Sequence, residues 1–110
     1  MMNQRTYQGE RTIDGLLVTV DGAALPLFAE IANYSTATFE WGYEGHEPLQ
    51  LAFAMLYFTT MDVDLSHRLA PAFMQDIVAA LANEWEIPET LIKNFVQEAG
   101  SRHDVGRVAG

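Results

Sequence analysis

Pro48-Leu49-Gln50-Leu51-Ala52-Phe53-Ala54-Met55-Leu56-Tyr57-Phe58-Thr59-Thr60 is the stretch that decides the fold class. From Leu49 to about Thr60, apolar side chains fall on nearly every side of a helical wheel. That pattern predicts a central helix buried all round, not an amphipathic surface helix. Pro48 suits the first turn, where its missing N–H costs nothing. The longest apolar run, Leu51 to Phe58, is far shorter than the roughly 20 residues that cross a bilayer. The helix is therefore expected to be a core element, with no membrane association.

Working outward toward the N-terminus, the chain reads as a β-meander. Thr6–Thr12 carries moderate strand character, and Leu16–Val20 is a stronger run of branched residues. Asp14-Gly15 lies between these runs, and Asp21-Gly22 comes after the second. Both dipeptides suit tight turns, because Asp and Gly accept the positive φ angles such turns require. Ala24–Leu27 predicts a short third strand, which Pro26 confines to an edge. Phe39-Glu40-Trp41 is expected as a last strand, with its two aromatic rings on one face.

Toward the C-terminus, Met61–Asp64 reads as a linker, and Asp64 or Ser66 as the cap of the next helical segment. A second helix is expected from about Pro71 to Asn83, with Trp85 continuing its apolar stripe. A third should open at Pro88 and stop at Gly100. The fold class is thus α+β: a meander of three or four antiparallel strands packed against about three helices. One domain spans residues 1–100, and 101–110 form a mobile tail.

The 110 residues contain no Cys, which excludes a disulfide framework and a thiolate metal site and fits a reducing compartment. The start Met1-Met2-Asn3-Gln4-Arg5-Thr6 lacks a secretory pattern, so a cytoplasmic location is expected. Charge is the distinctive property, at a formal −9. Between Arg11 and Lys93 the one cation is Arg68, whereas carboxylates recur throughout that interval. Few of them can be neutralised internally, so most must face water or a cationic partner. Direct binding to nucleic acid or to an anionic membrane is not expected.

Aromatic rings, acids and glycines are densest in Phe39-Glu40-Trp41-Gly42-Tyr43-Glu44-Gly45-His46-Glu47-Pro48. As a recognition surface, Trp41 and Tyr43 would give rigid contact area and Glu44 and Glu47 charge. As a structural element, Phe39 and Trp41 would enter the core while the acids favour a helix N-terminus. Both readings stay open at this level. Together with Tyr7-Gln8-Gly9, Val18-Thr19-Val20-Asp21-Gly22 and Trp85, this segment resembles a family of small uncharacterised phage and plasmid proteins with a Phe-Glu-Trp-Gly-Tyr element. The chain is also similar to acidic anti-CRISPR proteins directed against type I-C surveillance complexes. These resemblances imply a mobile-element origin and inhibition of host defence in the host-cell cytoplasm; they carry over no catalytic residue.

In that light the carboxylates acquire a role. A surveillance complex holds DNA in a basic channel, which an acidic protein can occupy as a DNA mimic, blocking target or PAM binding. The expected partner is a basic DNA-binding protein or surveillance complex of the host. The candidate contact residues are Glu40, Tyr43, Glu44 and Glu47, with Asp62, Asp64, Glu84, Glu86 and Glu89 as a second group. An alternative is an adaptor or antitoxin-like protein that binds a basic partner without displacing DNA. Catalysis is not expected: Glu40 and His46 could form an acid/base pair, but no nucleophile motif, metal-ligand spacing or phosphate loop accompanies them. No cofactor is expected either.

Overall fold

The computed structural model describes residues 4–35 and 38–109, with side chains through residue 100. Its elements are β1 (Thr6–Thr12), β2 (Gly15–Val20), β3 (Ala23–Ala24), α1 (His46–Thr60), α2 (Val63–Asp76), a 3-10 turn at Val78–Ala80, β4 (Trp85–Pro88) and α3 (Glu89–Ala109). The sheet has the order β3-β2-β1-β4 and is antiparallel at each pairing. The fold is α+β, with a four-stranded sheet and three helices.

The two hairpins arise from local sequence. Val20 pairs with Ala23, leaving Asp21 (φ 51°) and Gly22 (φ 87°) as a two-residue turn with both φ angles positive. That is the turn whose twist matches the flanking strands. Thr12 pairs with Gly15, so the first turn centres on Ile13-Asp14, and the Thr12 hydroxyl donates across it to the Gly15 carbonyl at 2.8 Å.

Helix α1 is the centre of the core: Leu51 through Leu56 are all fully buried. Its buried Gln50 is fully bonded. The Gln50 amide donates to the Leu27 and Ala32 carbonyls at 2.7 and 2.8 Å, and its oxygen accepts from the Tyr34 and Ser35 N–H groups. One side chain thereby satisfies four backbone groups of the 27–35 connection, which has no regular structure of its own.

Several sequence expectations are corrected, among them the third strand, which is Ala23–Ala24 and not Ala24–Leu27. The fourth strand is Trp85–Pro88, not Phe39-Glu40-Trp41, which is irregular although Phe39 and Trp41 are buried. Pro88 ends that strand opposite Thr6, and α3 begins at Glu89. Helix α2 begins at Val63, capped by Asp62, whose carboxylate accepts the Leu65 N–H at 3.0 Å. Pro71 lies inside it, and the chain leaves the α-helix at Ile77, well before Asn83. Helix α3 continues past Gly100 to Ala109. The tail expected at 101–110 falls outside the residues whose side chains are described.

The helices cover one face of the sheet, where Tyr7, Val18, Val20, Trp85 and Ile87 join the core. Gly9 is required there. A Cβ at this position would run into the indole of Trp85, which lies across the Gly9 backbone. Trp85 in turn meets Trp41 edge-to-face, with ring centroids 5.6 Å apart. The opposite face of the sheet remains open.

Candidate partner-binding face

Alternation along the strands decides what the open face displays. Gln8 stands opposite Thr19 on one side and Glu86 on the other, and Glu10 stands opposite Leu17. Residues of one parity share a face of a sheet, so Gln8, Glu10, Leu17, Thr19 and Glu86 point away from the helices. With Glu84, just ahead of β4, they surround a shallow concavity of about 410 Å³. Glu10, Glu84 and Glu86 are exposed, and Leu17 is 44% exposed between them.

Ion pairs among the described residues are Arg5–Glu89, Arg11–Glu40 and Lys93–Glu89. None includes Glu10, Glu84 or Glu86. Diagonal neighbours on one sheet face lie about 7 Å apart, and two like charges at that distance repel by roughly 0.6 kcal/mol in water. A cation arriving here relieves repulsion and gains attraction together.

The sequence-derived candidates scatter over the surface. Glu40 is already engaged: it accepts from Arg11 at 2.8 Å and from the Trp41 N–H at 3.2 Å. Arg11 also donates to Asn83 Oδ1 and the Trp41 carbonyl, and its guanidinium lies 4.8 Å from the centre of the Trp41 ring. It is a four-way clamp on Glu40, Trp41 and Asn83. Tyr43 is 45% exposed and donates to Glu47 at 3.3 Å. Withdrawal from water, then the Glu47 and Glu40 charges, raise its hydroxyl above the ordinary 10.0. Glu44 is exposed at the entry to α1.

Asp62 and Asp64 are exposed beyond the other end of α1, about 20 Å of helix away. Glu89 must be withdrawn from the contact set. Its side chain is only 5% exposed, paired with Arg5 at 2.8 Å, and its N–H donates to the Arg5 carbonyl at 2.8 Å. This pair fastens the start of β1 to the start of α3. Of the nine candidates, only Glu84 and Glu86 share the open sheet face, and Glu10 was missed. The signal for it was the alternation Glu84-Trp85-Glu86-Ile87, a strand pattern that brings β4 beside β1.

His46 is exposed on the first residue of α1, with Glu40 held instead by Arg11. His67 lies on α2, and its Nδ1 is 2.7 Å from the Tyr34 hydroxyl. No cluster of three or more His, Asp or Glu able to hold a metal forms among the described residues. No described helix is long and apolar enough to cross a membrane.

The model of a family of unknown function, DUF6166, matches residues 7–98. The chain belongs to that family. The DUF6166 match runs from Tyr7 on β1 to Glu98 on α3, and so takes in the open sheet face and the central helix. No curated protein and no solved structure matches the chain.

Proposed function

We propose that this DUF6166 protein is a binding protein whose open sheet face engages a basic surface on a protein partner. In this reading it acts as an acidic DNA mimic, inhibiting a host DNA-binding defence complex of the type I-C CRISPR kind in the host-cell cytoplasm. The observation that carries the reading is the set Glu10, Glu84 and Glu86, outside every described ion pair around one concavity. Isolated surface pairs contribute only about 0–1 kcal/mol each. A patch of like charge facing a cationic groove, however, accelerates encounter and makes binding strongly salt-dependent. Leu17 at its centre and fully exposed Ile13 at the adjacent hairpin tip supply apolar contact beyond charge.

Duplex release tests this. Purified type I-C surveillance complex loaded with a labelled PAM-bearing duplex should lose that duplex as the protein is added, and the effect should fade with added salt. A complex that keeps its duplex at saturating protein contradicts the mimic. If the protein binds there without displacing DNA, the adaptor reading replaces it.

A further inference from the structure

Backbone parity shows which way β4 points its unused hydrogen-bonding groups. The Thr6 carbonyl accepts from Asp21 on the β2 side, and the Arg5 carbonyl accepts from Glu89 on the β4 side. Along an antiparallel strand, successive residues direct their N–H and C=O to opposite sides. Odd residues of β1 therefore bond to β4, and Ile87 and Trp85 are their partners opposite Tyr7 and Gly9. Glu86 lies between those two, so its N–H and C=O point away from the sheet. β4 is the last strand in the order, and Glu86 is exposed.

The charges beside this edge select what can pair with it. A second copy of β4, added antiparallel, would bring Glu86 against Glu86 or against Glu84, and like charges directly opposite destabilise a strand pair. Pro88 also removes one donor from such a copy. A strand with a cation at every second position meets the opposite situation. The residue directly opposite Glu86 exchanges hydrogen bonds with it and projects its side chain to the same face. Its cations then line up along the side that carries Glu84, Glu86 and Glu10.

We infer that β4 is a docking edge for an extended lysine- or arginine-rich segment of the partner, which adds beside Glu86 as a fifth strand. This rests on the acidic-face reading and gives it a conformation. Main-chain bonds to Glu86 set the register, and the carboxylates select the alternate basic side chains, as in other strand-addition complexes.

The test uses a fluorescent peptide of alternating lysine and threonine, measured by anisotropy against the full chain at low salt. N-methylation at the lysine nitrogens should weaken binding by about tenfold or more, because those N–H groups face Glu86; N-methylation at the threonine nitrogens should change it less than about threefold. Glu86→Pro, which removes an N–H that no strand of the sheet uses, should weaken the parent peptide more than Glu86→Gln does. If both methylated peptides bind like the parent, strand addition is wrong. In that event, loss of binding in Glu10→Lys/Glu84→Lys/Glu86→Lys would show that the acidic face still operates. A parent peptide that fails to bind the native chain at low salt would overturn both readings. The peptide comparison needs no altered protein, so a Glu86→Pro chain that misfolds leaves the test intact.

Discussion

In the segment 39–47, Glu40 is held by Arg11 and Glu47 by the Tyr43 hydroxyl, while on the open sheet face Glu10, Glu84 and Glu86 belong to no described ion pair. The segment looks richer in sequence, because its acids are contiguous and interleaved with aromatic rings. The sheet face looks poorer, because its acids come from β1 and from the approach to β4, far apart along the chain. Charge density along a chain counts carboxylates, whereas the strand pairing decides which of them gather on one open face. One of the few cations of this protein, Arg11, is committed to the region that seemed most interactive.

Mutations separate the two regions. The largest effect lies in the helix that supports both regions. Leu56 is fully buried, and Leu56→Ala should cost about 2–5 kcal/mol in urea unfolding, which sets the scale for the rest. Arg11→Ala removes hydrogen bonds to Glu40, Asn83 and Trp41 together with a cation–π contact. Since the clamp is partly exposed, a loss of about 1–2 kcal/mol is expected. The triple change Glu10→Gln/Glu84→Gln/Glu86→Gln should leave stability within about 0.5 kcal/mol or raise it slightly, because it removes repulsion and no described ion pair. If the triple variant melts as low as Arg11→Ala, those carboxylates hold the fold and the contrast disappears.

The smallest effect is a pH dependence. Burial raises the Tyr7 hydroxyl above its ordinary 10.0, against the opposing hydrogen bond from Thr59 and the Arg5 charge. The folded state therefore retains a proton that the unfolded chain gives up. The associated stability is fully present below about pH 10 and is lost as pH rises through the folded value. Tyr7→Phe should flatten the alkaline decline of the urea midpoint, and an unchanged slope would assign the decline to other groups, such as Tyr34 and Tyr43, which are also raised.

Much of the fold was legible because it is encoded locally. The all-round apolar character of 49–60 placed α1, and the branched run of β2 and Asp21-Gly22 placed the second hairpin. What was not legible depends on long-range pairing. Trp85 fits a helical stripe with Met74 and Val78 as well as it fits a strand, and only the antiparallel match of 85–88 with 6–9 selects the strand. Gln50 gave no signal of its anchoring role, since its four partners lie in the irregular 27–35 connection. The candidate site suffered for the same reason: without β4 beside β1, Glu10 had no acidic neighbours, and Glu89 looked like any helix-start carboxylate although Arg5 covers it.

The most direct measurement compares two charge-matched triple reversals in duplex displacement from the type I-C complex. One is Glu10→Lys/Glu84→Lys/Glu86→Lys on the sheet face; the other is Glu44→Lys/Asp64→Lys/Asp76→Lys, three exposed acids outside that concavity. Both shift net charge equally, so bulk acidity is held constant. The sheet-face variant should lose displacement by about tenfold or more, while the other stays within about threefold of the native protein. Equal loss in both would mean that total charge, not the open sheet face, is what the partner reads.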